Sequence, residues 1–144
     1  MSLSTFASKL WLRTTAFTAL LIGMKRRALE AYEDMARLDP RDVIALATIG
    51  NMRMELGDRV GATDAFLKLL DVQPEHADTW FNLGFIHEQR DQLADSERCF
   101  RRAIELNASQ DRAWYGLGLV LIRLGRLREA VDALKHNVKL QPFS

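Results

Sequence analysis

The side chains best able to do chemistry in this sequence are His76, His87, His136, Cys99 and the basic run "MKRR" at residues 24–27. A protein metal site needs ligands at short fixed spacings, and the three histidines fall in no such pattern. His76 reads as a turn residue and His136 as part of the last helix, while His87 reads as a packed, satisfied imidazole. Cys99 has no second cysteine with which to form a disulfide or a thiolate cluster, so it reads as a small side chain packed in a helix. No glycine-rich phosphate loop and no nucleophile motif occurs. The basic run is expected to be the solvated start of a helix, with Glu30, Glu33 and Asp34 within reach as partners. Enzymatic activity, a cofactor and a metal are therefore not expected. A net charge of +1, with no basic stripe interleaved with aromatics, argues against a nucleic-acid partner.

A different chemistry is available, that of adhesion. The stretch "WFNLGF" at 80–85 places three large aromatics on a short piece of chain, and "WYGLGL" at 114–119 repeats the pattern 34 residues later. At about 100° per residue these side chains cannot all face one way. Trp80, Leu83 and Gly84 share one side of a helix; Phe81 and Phe85 share another. One apolar side suffices to pack a helix, so the second needs its own explanation.

The elements that position these residues follow from a repeat. Pro40 and Pro74 are 34 residues apart, and Pro142 lies two such intervals further on, with Ala108 at the missing phase. Gly23, Gly57, Asp91 and Gly125 share a second phase, and Ala28, Ala62, Ser96 and Ala130 a third. Bulky Tyr32, Phe66, Phe100 and Leu134 share a fourth; Ala16, Gly50, Gly84 and Gly118 share a fifth. Each unit is thus a leading helix ending at a Gly or Asp able to adopt the left-handed conformation, then a trailing helix ending near Pro. The glycine of the first helix and the Ala or Ser of the second let the two approach closely, and the bulky residue fills what is left. Four hairpins result, over 9–42, 43–76, 77–110 and 111–144, with 1–8 as an N-terminal extension.

These motifs resemble the tetratricopeptide repeat (TPR) family, whose signature is Trp-x2-Leu-Gly-x2-Tyr, then Ala-x3-Phe, then Pro. The third unit carries Trp80, Leu83, Gly84, His87, Ser96 and Phe100. The fourth carries Trp114, Leu117, Gly118, Leu121, Ala130, Leu134 and Pro142. The second has Leu46 for the Trp, then Ile49, Gly50, Ala62, Phe66 and Pro74. The first departs most, with Leu12, Thr15 and Ala16 before Ala28, Tyr32 and Pro40. The resemblance implies an all-α fold, a right-handed α-solenoid of about four antiparallel hairpins forming a single domain over 1–144.

It also implies a role. In this family the leading helices line a concave surface, which would carry Phe17, Asn51, Met54, Phe81, Asn82, Phe85, Arg112, Tyr115 and Leu119. An exposed strip of aromatics edged by polar groups suits a peptide or protein segment. The expected function is a non-enzymatic adaptor, with the rings of Phe81 and Phe85 chiefly on the groove side. Asn51, Asn82 and Arg112 occupy places where chaperone-binding members grip a C-terminal carboxylate. Two further cations of that clamp are replaced by Ala47 and Gly116, so Asn82 is expected instead to hydrogen-bond a bound backbone.

The ends supply two further expectations. Residues 1–29 are basic, carrying Lys9, Arg13, Lys25, Arg26 and Arg27 with no acid before Glu30, and include the apolar "FTALLI". A membrane-associated assembly factor anchored by this segment is the alternative function. The sequence stops just after the repeat's proline with no closing helix, so the last hairpin, with Val131, Leu134 and Val138, is expected to expose an apolar flank, either because the chain is a piece of a longer array or because it self-associates through this end. One unpaired cysteine and no signal sequence favour the cytoplasm.

Overall fold

The computed structural model describes residues 2–140, which form eight α-helices; among the described residues there is no strand. They are α1 (Leu3–Leu21), α2 (Lys25–Leu38), α3 (Val43–Glu55), α4 (Arg59–Val72), α5 (Ala77–Gln89), α6 (Leu93–Leu106), α7 (Asp111–Arg123) and α8 (Leu127–Leu140). Residues 3–8, ahead of the first expected hairpin, are helical and continuous with α1, which Ser2 caps by accepting from the Thr5 N–H at 3.2 Å. Pro142 lies outside the described residues. The backbone divides into two compact units, Met1–Pro74 and Glu75–Ser144.

Each hairpin turns on the phase read from the sequence. Gly23, Gly57 and Gly125 have φ of 75°, 80° and 76°, and Asp91 adopts the same left-handed conformation at 60°. Trailing helices stop two residues before the proline phase even where proline is missing. At Asn107 the backbone turns extended and the side-chain oxygen accepts from the Ser109 N–H at 3.1 Å. Asp39 does the same for Arg41 at 3.1 Å. The polar side chain offers the backbone a local alternative to the next helical bond, so it can end a helix without proline.

Close approach within hairpins rests on the glycines. A Cβ on Gly84 would stand 2.8 Å from the Phe100 ring, and one on Gly118 2.6 Å from the Leu134 side chain; Gly50 meets Phe66 in the same way. Ser96 is buried opposite Gly84 and donates its hydroxyl to the Gly84 carbonyl at 2.7 Å. In the N-terminal unit, Leu12, Ala16, Ala31, Met35 and Ala45 form one buried cluster, and Ala19, Ala28 and Met52 another. In the C-terminal unit, Phe100, Leu117, Val120, Leu121, Ala130 and Ala133 form the buried core.

The basic residues of the first segment do structural work. Lys9 donates to Asp39 at 2.7 Å and to Asp42 at 2.9 Å, tying α1 to the α2–α3 turn. Burial opposes the charged ammonium, but the bonds to Asp39 and Asp42 outweigh it and its pKa lies above the usual lysine value. Asp39 is held below the ordinary carboxylate value by Lys9 and then by the Arg41 N–H. Asp42 is also lowered: burial works the other way, and the Ala45 N–H and Lys9 overcome it. Lys25 pairs with Glu55 at 2.7 Å, whereas Glu33 reaches Arg53 and Asp34 reaches Arg37. The expected pairing of the basic run with its own helix is thus replaced by a pair to the next hairpin, because Glu55 ends α3 close to where α2 begins.

Candidate functional site

The second apolar side of the leading helices is built most fully in the C-terminal unit, where α5 packs beside α7. On α5, Phe81 and Phe85 are one turn apart; on α7, Arg112, Tyr115 and Leu119 follow the same spacing. Phe85 is 39% exposed, Tyr115 50% and Leu119 39%. Ile122, one turn beyond Leu119, is 44% exposed and extends the strip. It was legible: Ile122 sits at the repeat phase of Met54, two intervals of 34 later.

Phe81 is less open than Phe85. It is half-buried, its ring 5.8 Å from that of Phe100 and tilted 46° to it, and it packs against the core of the unit. The Arg112 guanidinium carbon lies over the ring at 4.9 Å from its centroid. Phe81 is thus a surface on which Arg112 is laid. The cause is Gly84, whose missing side chain lets the Phe100 ring come close to α5. A guanidinium held over an aromatic face keeps its charge and its fork of donors at the surface.

A Cβ on Gly116 would stand 2.6 Å from the Phe100 ring. No side chain fits without displacing the ring, so this position contributes shape and no charge. Asn82 is half-buried. At the far end of the strip Arg123 ion-pairs with Glu88 and Asp91, joining the end of α5 to the end of α7. In the N-terminal unit, of the expected positions, Phe17 is 63% exposed, Asn51 is exposed and Met54 is half-buried.

The histidines and the cysteine have other occupations. His76 caps α5, its Nδ1 accepting from the Thr79 N–H at 3.3 Å. His87 is half-buried, with Nδ1 2.8 Å from Gln92 Oε1. His136 stacks on Trp114, ring centroids 4.3 Å apart. Burial pushes the Cys99 thiol up to about 11, so almost none of it is thiolate at neutral pH. Among the described residues no group of three or more His, Cys, Asp or Glu is placed to hold a metal ion, and no helix is long and apolar enough to cross a membrane. α1 nevertheless exposes Phe6, Leu10, Trp11, Leu20 and Leu21, and Ile22 just after it is exposed as well. On α8, Val131 and Val138 are exposed, while Leu134 packs onto Gly118.

A family model for the tetratricopeptide repeat matches residues 86–143. The general transcriptional corepressor ssn6 of Schizosaccharomyces pombe is 26% identical over 126 residues, covering 86% of this chain and 11% of that protein. The chain spans about a tenth of the length of such curated relatives. A crystal structure of MamA matches with a TM-score of 0.82 over 91% of this chain and 77% of that one, at 21% identity, a likeness of fold. The crystal structure of YrrB, described as a TPR protein with an unusual peptide-binding site, matches with a TM-score of 0.77 at 26% identity over 88% of this chain and 66% of that one.

Proposed function

This chain is a tetratricopeptide repeat protein, and we propose that it is a non-enzymatic interaction scaffold that holds a polypeptide segment against its leading helices. The carrying observation is the strip of Phe85, Tyr115, Leu119 and Ile122, apolar and open on the side of α5 and α7 that packing leaves free. Aromatic and aliphatic side chains of this kind, rimmed by polar groups, are where binding energy concentrates at protein interfaces. Arg112, spread on Phe81, adds a site for a carboxylate or a backbone carbonyl of the bound segment. Asn82 lies in reach of a bound backbone, and Phe17, Asn51 and Met54 form the corresponding surface of the N-terminal unit. The peptide-binding site ascribed to YrrB supports the reading. The test is affinity capture with the intact chain against Phe85→Ser/Tyr115→Ser. Captured partners should be lost with the double variant while its melting temperature and helicity stay near those of the parent. Retention of the same partners by the folded variant contradicts the proposal.

A second reading has its own observation. Phe6, Leu10, Phe17 and Leu21 recur at helical spacing along the exposed side of α1, beside Arg13. Such a face can lie in a lipid interface without spanning it. Co-sedimentation of the chain with anionic liposomes, abolished by Phe6→Ser/Leu10→Ser, is the expected result on this reading; a chain that stays in the supernatant removes it.

A further inference from the structure

Neighbouring hairpins meet through a trailing helix and the leading helix after it, and each unit contains one such junction, α2 with α3 and α6 with α7. In the second of these, Leu93, Phe100 and Ile104 of α6 pack in the core to which α7 contributes Leu117, Val120 and Leu121. The rim is charged: Glu97 pairs with Arg126 at 2.8 Å, and Glu88 with Arg123. In the N-terminal unit the rim pair is Lys25 with Glu55 at 2.7 Å. The same phases read differently on α7, α8 and α1. Leu127, Leu134 and Val138 of α8 stand at the phases of Leu93, Phe100 and Ile104. The phases of Glu88, Lys25 and Glu97 hold Ile122, Leu127 and Val131, all exposed, Leu127 by 60%. The answering phase of Arg123 and Glu55 holds Leu21, 70% exposed, and that of Arg126 holds Met24, exposed as well. These charged rim pairs have become apolar ones, whose halves lie in the first hairpin and the fourth.

We infer that copies of this chain associate head to tail, α8 of one receiving α1 of the next, with Ile122, Leu127 and Val131 meeting Leu21 and Met24. Side-chain bulk fits the same arrangement. Where Phe100 reaches Gly116 in the α6–α7 junction, the end-to-end phases hold Leu134 and Thr14, a smaller side chain opposite a larger one. Where Met35 shares a buried cluster with Ala45, they hold Asn137 and the exposed Trp11, so bulk has again moved from the trailing helix to the leading one. Thr14 and Thr18 already donate their hydroxyls to the Trp11 and Thr15 carbonyls at 2.7 and 3.0 Å, so covering them strands no donor. One pair opposes the contact. The phases of Arg101 and Glu129, joined at 3.2 Å, hold Lys135 and Arg27. Both are exposed, so their repulsion is weak and salt screens it. Pairing of α8 with a second α8 would leave Leu21 and Met24 uncovered. A head-to-tail contact uses both surfaces and leaves one of each free, so association continues past the dimer.

Sedimentation equilibrium of the full chain tests this. The average mass should rise with concentration past that of a dimer, and further when salt is raised. Leu127→Lys and Leu21→Glu should each weaken association at least about tenfold, since each sets a lone charge against an apolar partner. An equimolar mixture of the two variants should recover it. The new lysine then meets the new glutamate as Lys25 meets Glu55, and the other junction is that of the parent. Recovery also shows that both variants are folded. The contact uses Ile122 at the edge of the leading-helix strip but neither Phe85 nor Tyr115. Phe85→Ser/Tyr115→Ser should therefore leave association unchanged, and its failure is distinguishable from that of the scaffold reading. A parent chain that stays monomeric at every concentration overturns the inference. So does association that survives Leu21→Glu but not Leu127→Lys, the mark of α8 pairing with α8. A mixture of folded, helical variants that recovers nothing, or association abolished by salt, overturns it as well.

Discussion

The two units are made by one repeat, yet they fill equivalent positions differently. In the C-terminal unit Phe100 is received by glycines on two helices, Gly84 and Gly116, and Trp114, stacked on His136, closes the groove between α6, α7 and α8. In the N-terminal unit Phe66 meets Gly50, the residue one repeat before Gly116 is Asn82 and not a glycine, and the groove between α2, α3 and α4 stays open above Leu46. The C-terminal unit puts its aromatic surface into its own core and onto the leading-helix strip. The N-terminal unit keeps Phe66 in the hairpin and Phe17 at the strip phase, but has Leu46 where the C-terminal unit has Trp114, and pins α1 with Lys9. The difference shows how a repeat can hold its backbone constant while individual positions move between packing and recognition.

The sharpest way to break this comparison is to remove the two large rings. Phe100→Ala and Phe66→Ala should each cost about 3–5 kcal/mol, with Phe100 the larger, because backbone at Gly84 and Gly116 walls its hole and cannot collapse inward. Urea denaturation of the two variants measures it. Equal losses, or a smaller one for Phe100, would mean that the second glycine does not tighten the site.

A smaller effect should mark the N-terminal unit. Lys9→Ala should cost about 1–3 kcal/mol at neutral pH, from charged hydrogen bonds lost at a partly buried site. The pH dependence has a definite sign. Asp39 and Asp42 have folded pKa values below the ordinary 3.8, so their contribution is present above that value and is lost as pH falls through the depressed values. Lys9 has a folded pKa above the ordinary 10.5, so its contribution is present below that value and is lost as pH rises through the raised one. The gap in denaturation midpoint between parent and Lys9→Ala should therefore be widest between these limits and close at both. A gap that persists in strong acid would place the effect in packing of the lysine stem.

The smallest effect concerns the turns. Gly57→Ala should cost about 1 kcal/mol, since its φ of 80° strains any side chain, whereas Asp91→Gly should change stability by no more than about 0.5 kcal/mol. Relief of backbone strain at Asp91 offsets the loss of its exposed pair with Arg123. Thermal melting of the two variants checks this.

Much of this architecture was legible in the sequence, because the repeat phase carries backbone requirements. Left-handed turns need Gly or Asp, and helix crossings need Gly, Ala or Ser, so Gly57, Asp91, Gly84 and Ser96 announced themselves. The orientation of single rings was less legible. Phe81 lies one position from Trp80 on a helix with two apolar sides, and only the place taken by Phe100 decides that its ring belongs partly to the core. Ile122 shares the phase of Met54, but as an aliphatic residue it carries no aromatic signature to mark it as part of the strip. The open groove above Leu46 was beyond local reading: Leu46 was visible as a departure from Trp, but its consequence depends on Trp114 and His136 in the other unit. The Lys9 pair was hidden too, since its carboxylates lie a full repeat further along the chain.

The central claim is that the leading-helix strip receives another polypeptide, and site-specific photo-crosslinking tests it most directly. A photo-reactive phenylalanine analogue is placed at Tyr115 and, separately, at the exposed trailing-helix position Val60. Adducts of discrete mass should form in the native cellular extract from position 115 and not from position 60. Equal labelling at both, or discrete adducts from position 60 alone, contradicts the account.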